Sequence, residues 1–130
     1  MIIFCGTWHV RRRIVDLPTG EVTQFEGTAR ISPDRFDERG ILRRAGGTFA
    51  AQRTYRLAFG SGSVEVRFED GRPFIALTSE SSQRLEHVCG DDHYRGRFLF
   101  AGDGRWMEAW SVRGPRKTYR SVSRYRSTAP

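Results

Sequence analysis

The chain has almost no lysine: of its 22 basic residues 21 are arginine, and Lys117 is the single exception. It also lacks any apolar run approaching the ~20 residues that a membrane-spanning helix needs. The opening stretch, MIIFCG, is too short for a signal peptide and has no basic leader. We therefore expect a cytoplasmic protein with no membrane partner.

Cysteine is scarce as well, with only Cys5 and Cys89 in 130 residues. A small domain stapled by disulfides carries more cysteines than this. We predict that both thiols are free.

The chain does contain enough apolar matter for one core. Hydrophobic residues make up 38% of it and aromatic residues 12%, which is typical of a single folded domain spanning residues 1–130. The net charge of +7 raises the question of nucleic acid, because arginine suits phosphates. The arginines are scattered along the sequence and not gathered in one tail, so a solvated surface is the favoured interpretation and nucleic acid is not an expected partner.

Apolar and polar residues alternate with a period of two through most of the chain. In TWHVRRRIV the residues Trp8, Val10, Arg12 and Ile14 share one face, and TQFEGTARI, SVEVRF and YRGRFLF follow the same rule. Such alternation indicates half-buried antiparallel strands. Turn signals recur mostly every 8 to 15 residues, which predicts an all-β antiparallel barrel of about eight to ten strands. One helical turn is allowed for in SESSQRLEH.

The last strand has an unusual inner face. In KTYRSVSRYR one face carries Lys117, Tyr119, Ser121, Ser123 and Tyr125, and the other carries three arginines that read as solvent-exposed. Two tyrosines, two serines and the only lysine do not make a plain apolar core. A barrel closed around a cavity explains this composition better, because a cavity can hold water or a polar ligand.

The stretch HVCGDDHYRGRF gathers side chains that bind metals or move protons. Read as a strand and a turn, it points His87 and Cys89 into the barrel near its mouth and leaves Asp91, Asp92 and His93 at a solvated tip. Zinc would need Glu38 or Asp92 to complete a ligand set, since structural zinc takes four ligands. Haem would need one of the three histidines. A buried cysteine or histidine is more often a packed or hydrogen-bonded residue, so we expect no metal and no cofactor.

Several motifs together resemble one family. They are Gly6, Trp8, Arg12, Ile14, Phe25, Gly27, Glu38, Gly40, Arg53, Tyr55, Asp70, Gly71, Arg72, Phe74, His87, Cys89, Asp92, Tyr94, Gly96, Trp110, Val112, Gly114, Pro115, Arg116 and Lys117. On them the chain is similar to the bacterial family catalogued as domain of unknown function 6314. The Gly-x-Trp at Gly6 and Trp8 also resembles the opening of lipocalins and their calycin relatives.

This resemblance implies a lipocalin-like (calycin) barrel and no particular activity. It also implies that an arginine of the closing segment, Arg116 or Arg113, stacks on Trp8 and closes one end. The chain departs from the family pattern at Ile75, where a histidine is expected. Any shared mechanism that needs that histidine is therefore not expected here.

We predict that the barrel binds a small, anionic or amphipathic molecule in its interior. The predicted ligand-binding residues are Glu38, Arg53, Tyr55, His87, Cys89, Tyr94, Arg116, Lys117 and Tyr119. Cations outnumber carboxylates among them, which favours an anionic head group. Glu38 must pair with Arg53 or Lys117, because an unpaired buried carboxylate is costly.

Two other functions stay open at the level of the sequence. The first is a small-molecule enzyme with His87 as general base and Tyr94 or Tyr119 as acid. The second is a nucleic-acid or protein interaction module that uses the outward arginines. The oligomeric state is not determined by the sequence.

Overall fold

A computed structural model of the protein describes residues 5–129, and all ten regular elements in it are strands. They are β1 (Gly6–Asp16), β2 (Val22–Ser32), β3 (Arg35–Arg44), β4 (Gly47–Gly60), β5 (Ser63–Phe68), β6 (Pro73–Thr78), β7 (Ser82–Cys89), β8 (Asp92–Ala101), β9 (Arg105–Arg113) and β10 (Thr118–Ser127). The all-β prediction and its strand number are confirmed. The helical turn allowed for in SESSQRLEH is wrong, because residues 82–89 pair along their whole length with β8.

Every neighbouring pair of strands is antiparallel, and the strands form one sheet in the order β6-β5-β4-β3-β2-β1-β10-β9-β8-β7. The first and last strands pair in the middle of this order, with Val10 opposite Tyr125 and Ile14 opposite Ser121. The sheet curls into a nearly closed barrel, as the alternation predicted. Its two edges, β6 and β7, meet along a seam that has no ladder of backbone hydrogen bonds.

The side chain of Gln83 bridges this seam. The backbone N–H of Thr78 donates to Gln83 Oε1 at 2.8 Å, and Gln83 Nε2 donates to the carbonyls of Thr78 and Glu80 at 2.8 Å each. Gln83 is buried, so this one amide replaces part of the missing ladder. Satisfied polar groups are what a buried strand edge requires.

One end of the barrel is filled by an aromatic core. The ring of Trp106 stacks on Tyr125 with centroids 3.6 Å apart and packs edge-on against Trp8 at 6.1 Å. The expected stacking of Arg116 or Arg113 on Trp8 is wrong. Trp8 lies opposite Ser127 at the end of β10, whereas Arg113 lies opposite Thr118 at its beginning, so the length of the barrel separates them. The other end holds the cavity.

Candidate functional site

A cavity of about 200 Å³ opens inside the barrel beyond the aromatic core. Its wall is mostly apolar, and a few polar groups converge on it. The lining residues are Arg12, Ile14, Phe36, Arg53, Tyr55, Leu57, Val66, Phe74, Ile75, Leu77, Tyr94, Phe98, Trp106, Glu108, Trp110, Tyr119 and Ser121. A concave, largely apolar space with few placed polar groups is the usual form of a small-molecule site.

An ion pair between Arg12 and Glu38 forms the floor of the polar region. Arg12 Nη1 and Nη2 donate to Glu38 Oε1 and Oε2 at 2.7 and 2.8 Å, while Arg12 Nε donates to Ser123 Oγ at 2.6 Å. Two parallel hydrogen bonds fix the orientation of the Arg12 guanidinium relative to the Glu38 carboxylate, as bidentate pairs do. The Glu38 side chain is 2% exposed and that of Arg12 is 9% exposed, so the pair is buried.

A second pair, Arg53 with Glu108, adjoins the first. Arg53 Nη2 donates to Glu108 Oε1 at 2.9 Å. The hydroxyl of Tyr125 links the two pairs: it accepts from Arg12 and Arg53 at 3.0 and 3.1 Å and lies 3.1 Å from Glu38 Oε2 and 3.3 Å from Glu108 Oε1. Two guanidinium groups and two carboxylates thus balance each other inside the barrel.

The network decides the protonation states of its members. Burial by itself would raise the pKa of Glu38, but the hydrogen bonds from Arg12 and the charge of Arg53 outweigh it and lower that pKa. Burial, together with the nearby Glu108, raises the pKa of Tyr125 well above its ordinary value. Glu38 is therefore a carboxylate and Tyr125 a neutral phenol at pH 7.

Arg53 keeps unused hydrogen-bonding capacity on the side of the cavity. Its Nη1 makes one long contact of 3.5 Å to the hydroxyl of Tyr55. Its Nε lies 3.0 Å from Glu38 Oε1, but the geometry is too poor for a hydrogen bond and this buried nitrogen has no other partner among the described residues. Because 33% of the Arg53 side chain is accessible and the residue lines the cavity, its Nη1 group is available to a bound molecule, whereas the buried Nε is not.

Aromatic rings surround Phe74 at the open end of the cavity. Phe74 stacks on Trp110 and Tyr55 with centroids 5.4 and 5.6 Å apart, and the edge of His87 meets it at 5.1 Å. Phe74 lies on β6 and His87 on β7, so their contact crosses the seam. Trp110 in turn covers Gly96, where an added Cβ would come within 2.6 Å of the indole ring.

Lys117 lies at the rim of this end. Its Nζ donates to the hydroxyl of Tyr94 at 2.6 Å and lies 3.5 Å from Asp92 Oδ2. The hydrogen bond to Tyr94 raises the pKa of Lys117, so it carries a positive charge at pH 7. Burial raises the pKa of Tyr119, which lies deeper in the wall.

The structure brings together most of the predicted ligand-binding residues. Arg53, Tyr55, Tyr94 and Tyr119 line the cavity, and Glu38 supports it from below by pairing with Arg53, as expected. His87 joins the aromatic rings at the mouth, and Lys117 lies on the rim with 42% of its side chain exposed.

Two predicted residues lie apart from the cavity. Cys89 is exposed at the end of β7, so its expected inward orientation is wrong: it pairs with Asp92 at the hairpin turn, beyond the closed part of the barrel. Arg116 is exposed in the connection between β9 and β10. Cys5 and Cys89 form no disulfide, which confirms the prediction of free thiols.

Arg12 and Glu108 were missing from the predicted set although they line the cavity. The alternation of apolar and polar residues would have placed both side chains on the inner face. Arg12 shares a face with Trp8 and Val10, and Glu108 shares one with Trp106 and Trp110. Including Glu108 makes the interior charge balanced, so the argument that cations outnumber carboxylates does not hold.

Within residues 5–129 no group of three or more His, Cys, Asp and Glu side chains is placed to hold a metal ion. Nor does that part of the chain contain a helix long and apolar enough to cross a bilayer.

No curated protein matches the sequence significantly. Among solved structures the fold is similar to the S-type phycobiliprotein lyase CPES from Guillardia theta, with a TM-score of 0.58 and 10% sequence identity over 98% of this chain and 90% of that chain. A likeness at this level of identity shows a common lipocalin-like barrel. A family model matches residues 4–127, nearly the whole length. The chain therefore belongs to the family of unknown function DUF6314.

Proposed function

We propose that the protein binds a small amphipathic molecule in the barrel cavity, with an aromatic body and one hydrogen-bond-accepting oxygen. The observation that carries this proposal is the position of Arg53, whose spare N–H groups face a cavity walled by aromatic rings. A hydrogen bond to a charged donor contributes more than one to a neutral donor, so a ligand that supplies an acceptor to Arg53 Nη1 gains affinity there.

The size of the cavity limits the ligand. An apolar cavity of about 150 Å³ admits benzene, and this one is about 200 Å³. One aromatic ring with a short substituent fits this volume. The ring would lie against Phe74 and Trp110, and the oxygen would accept from Arg53 Nη1 and the Tyr55 hydroxyl.

The acceptor belongs to a carbonyl or a carboxylate. Arg53 and Arg12 favour a carboxylate, but Glu108 and Glu38 already neutralise them at 2.9 and 2.7 Å. An anionic ligand must therefore compete with Glu108, whereas a carbonyl does not. The two head groups share the same contact and differ in charge, so binding measurements separate them.

Acid–base catalysis by His87 has less support. A general base must lie within hydrogen-bond reach of the proton it removes. The ring centroids of His87 and Tyr94 are 5.8 Å apart, and His87 forms no hydrogen bond with a described residue. His87 packs as an aromatic ring among Phe68, Phe74 and Tyr94.

The test compares acetophenone, benzoate and ethylbenzene, which share a ring and differ in the acceptor. We expect at least one of the first two to bind at least tenfold tighter than ethylbenzene in ligand-observed NMR titrations, because a hydrogen bond to a charged donor contributes about 1.5–3 kcal/mol. Tyr55→Phe and Arg53→Met should reduce that preference, and Arg124→Met on the outer surface should not. Equal binding of all three compounds, or none, would contradict the proposal.

Native mass spectrometry of freshly purified protein adds an unbiased measurement. A co-purifying molecule with one or two rings and a carbonyl or carboxyl group is the expected result. A long-chain or polycyclic molecule much larger than the cavity would count against the proposed size limit.

A further inference from the structure

The outward faces of β1 and β10 form one cationic surface, which we call the arginine face: Arg11, Arg13, Arg120, Arg124 and Arg126. All five side chains are exposed. The register places Arg11 directly opposite Arg124, and Arg126 opposite His9. Residues more than 100 positions apart in the sequence thus become neighbours on one ladder.

Few carboxylates offset this charge. The outward positions of β1 and β10 carry none, and Glu26 on β2 is the nearest one across the ladder. Glu26 lies 3.5 Å from Arg11 in a pair whose side chains are 47% and 72% exposed, and such pairs contribute little. Arg13, Arg120, Arg124 and Arg126 form no ion pair with any residue between positions 5 and 129.

The cationic surface continues onto the neighbouring strands. In the row that contains Arg13, the ladder leads through Gln24 to Arg43 on one side. On the other side it leads through Val122 and Ala109 to Arg97 and then Arg84. Arg43, Arg84 and Arg97 are exposed too. The fold therefore joins arginines that are scattered in the sequence into a row that runs around the outside of the barrel on either side of the arginine face.

We propose that the arginine face binds the phosphate backbone of double-stranded nucleic acid without reading its sequence. From Arg120 to Arg126 the stripe is about 20 Å long, from the ~3.3 Å rise per residue. Duplex DNA carries one negative charge per ~1.7 Å of axis when both strands are counted, so a stripe of this length spans a segment with roughly a dozen phosphates, of which those on the facing side are within reach. Guanidinium groups match phosphate oxygens in pairs.

The chemistry of the face favours this occupant over two others. Insertion into a membrane surface needs exposed apolar side chains, and a protein interface needs buried apolar anchors at its centre. The large hydrophobic side chains that the described residues expose are Leu17, Ile41, Phe49 and Val88, and none of them lies on β1 or β10. Phosphate contacts can be made by cationic side chains without apolar anchors, and they carry no sequence information. No exposed aromatic ring on these two strands is available to stack on unpaired bases, as single strands require.

This interaction is independent of the cavity, because the arginines and the cavity lining lie on opposite faces of the same strands. Arg12 points inward between Arg11 and Arg13, and Tyr125 between Arg124 and Arg126. Loss of binding inside the barrel would therefore leave this proposal unaffected, and the reverse also holds.

The test measures fluorescence anisotropy of a labelled duplex of about 20 base pairs and arbitrary sequence at about 50, 100 and 200 mM salt. We expect binding that weakens steeply with salt. The triple variant Arg13→Gln/Arg124→Gln/Arg126→Gln should bind at least tenfold more weakly at about 100 mM salt and lower the salt slope by about 2.7, from ~0.9 per phosphate contact. The matched control Arg44→Gln/Arg56→Gln/Arg116→Gln removes the same charge from exposed sites elsewhere and should stay within twofold of wild type.

Three results would overturn the proposal. The first is no binding of the duplex at the lowest salt concentration. The second is an equal loss in both triple variants, which would reduce the effect to net charge. The third is tighter binding to a poly-glutamate peptide or to anionic vesicles than to the duplex, which would assign the face to an acidic protein or a membrane. Circular dichroism of both variants establishes that they are folded.

Discussion

Arg12 and Glu38 are joined by two parallel hydrogen bonds of 2.7 and 2.8 Å in the interior of the barrel. They come from β1 and β3, on either side of β2, so the pair ties three strands together. Removing one partner of a buried pair costs about 3–5 kcal/mol, because the other charge stays buried without compensation. We expect Arg12→Met to lower the free energy of unfolding by that amount in urea titrations.

The double variant Arg12→Met/Glu38→Leu serves as the control for this prediction. Replacing both charges by apolar residues removes the uncompensated carboxylate, so the double variant should be more stable than Arg12→Met. Exposed Arg120→Met should change the stability by less than about 0.5 kcal/mol. An Arg12→Met protein as stable as wild type would show that Arg53 alone compensates Glu38.

The same carboxylate makes stability depend on pH in the acid range. The folded protein holds the pKa of Glu38 below its unfolded value of ~4.3. The unfolded chain then binds the proton first, so the stabilisation is fully present above the unfolded pKa and is lost as pH falls through the folded pKa. We expect the free energy of unfolding to decline below about pH 5, and Glu38→Gln to decline less over the same range. Parallel curves for the two proteins would refute this.

The alternation of apolar and polar residues predicted most of the fold. It correctly assigned Glu38, Arg53, Tyr55 and Tyr125 to the inner face, because side chains of a half-buried strand alternate between two environments. The alternation does not determine which strands form the seam. Beside that seam the side chain of Gln83 bonds the backbone of Thr78 and Glu80, only three to five residues earlier, and such a side-chain contact leaves no periodic signal.

The ends of the strands were predicted less well. Cys89 follows the inward phase of Leu85 and His87, yet it is exposed because β7 extends past the rim there. Lys117 follows the phase of Tyr119 but precedes β10 and reaches out to Tyr94. The alternation along a strand indicates whether a side chain is buried only where neighbouring strands continue on both sides of that residue.

The scatter of arginines along the sequence also failed to predict that several of them lie side by side in the fold. Arg11 and Arg124 are far apart along the chain and directly opposite in the barrel. Because β1 pairs with β10, a surface that joins the two ends of the chain is invisible to any local measure of charge clustering. Register, and not composition, decides whether scattered charges form a patch.

The seam provides another prediction. Gln83→Ala leaves the Thr78 N–H and the Thr78 and Glu80 carbonyls without their partner. Leaving a fully buried polar group without a partner costs about 1–3 kcal/mol, and these part-buried groups set that range as the upper bound. We expect a loss of stability of no more than about 3 kcal/mol and faster hydrogen exchange at the amide of Thr78.

Exposed Gln52 on β4 supplies the matched control, and Gln52→Ala should change neither quantity. Unchanged exchange at Thr78 in Gln83→Ala would mean that β6 and β7 are held together by the contact of Phe74 with His87 instead.

Gly96 shapes the wall of the cavity. Its missing side chain makes room for Trp110, and a Cβ would overlap the ring at 2.6–2.9 Å. Gly96→Ala should therefore displace the indole, lower stability by about 1–3 kcal/mol and shift the tryptophan emission. Gly102→Ala, where no atom lies within 4 Å of the new carbon and φ is not positive, should leave both unchanged. An unshifted emission spectrum in Gly96→Ala would contradict the close packing.

The last prediction compares how much Lys117 and Arg53 each contribute to ligand affinity. Lys117 was predicted to lie inside, but it is at the rim, 42% exposed and already bonded to Tyr94. Arg53 lines the cavity, and its Nη1 makes only one long contact, of 3.5 Å, to Tyr55. Water screens an exposed charge, so Lys117→Met should weaken benzoate or acetophenone binding by less than threefold, whereas Arg53→Met should weaken it at least tenfold. Calorimetry or NMR titration of the two variants measures this difference. The reverse order would move the head group of the ligand from the floor of the cavity to its mouth.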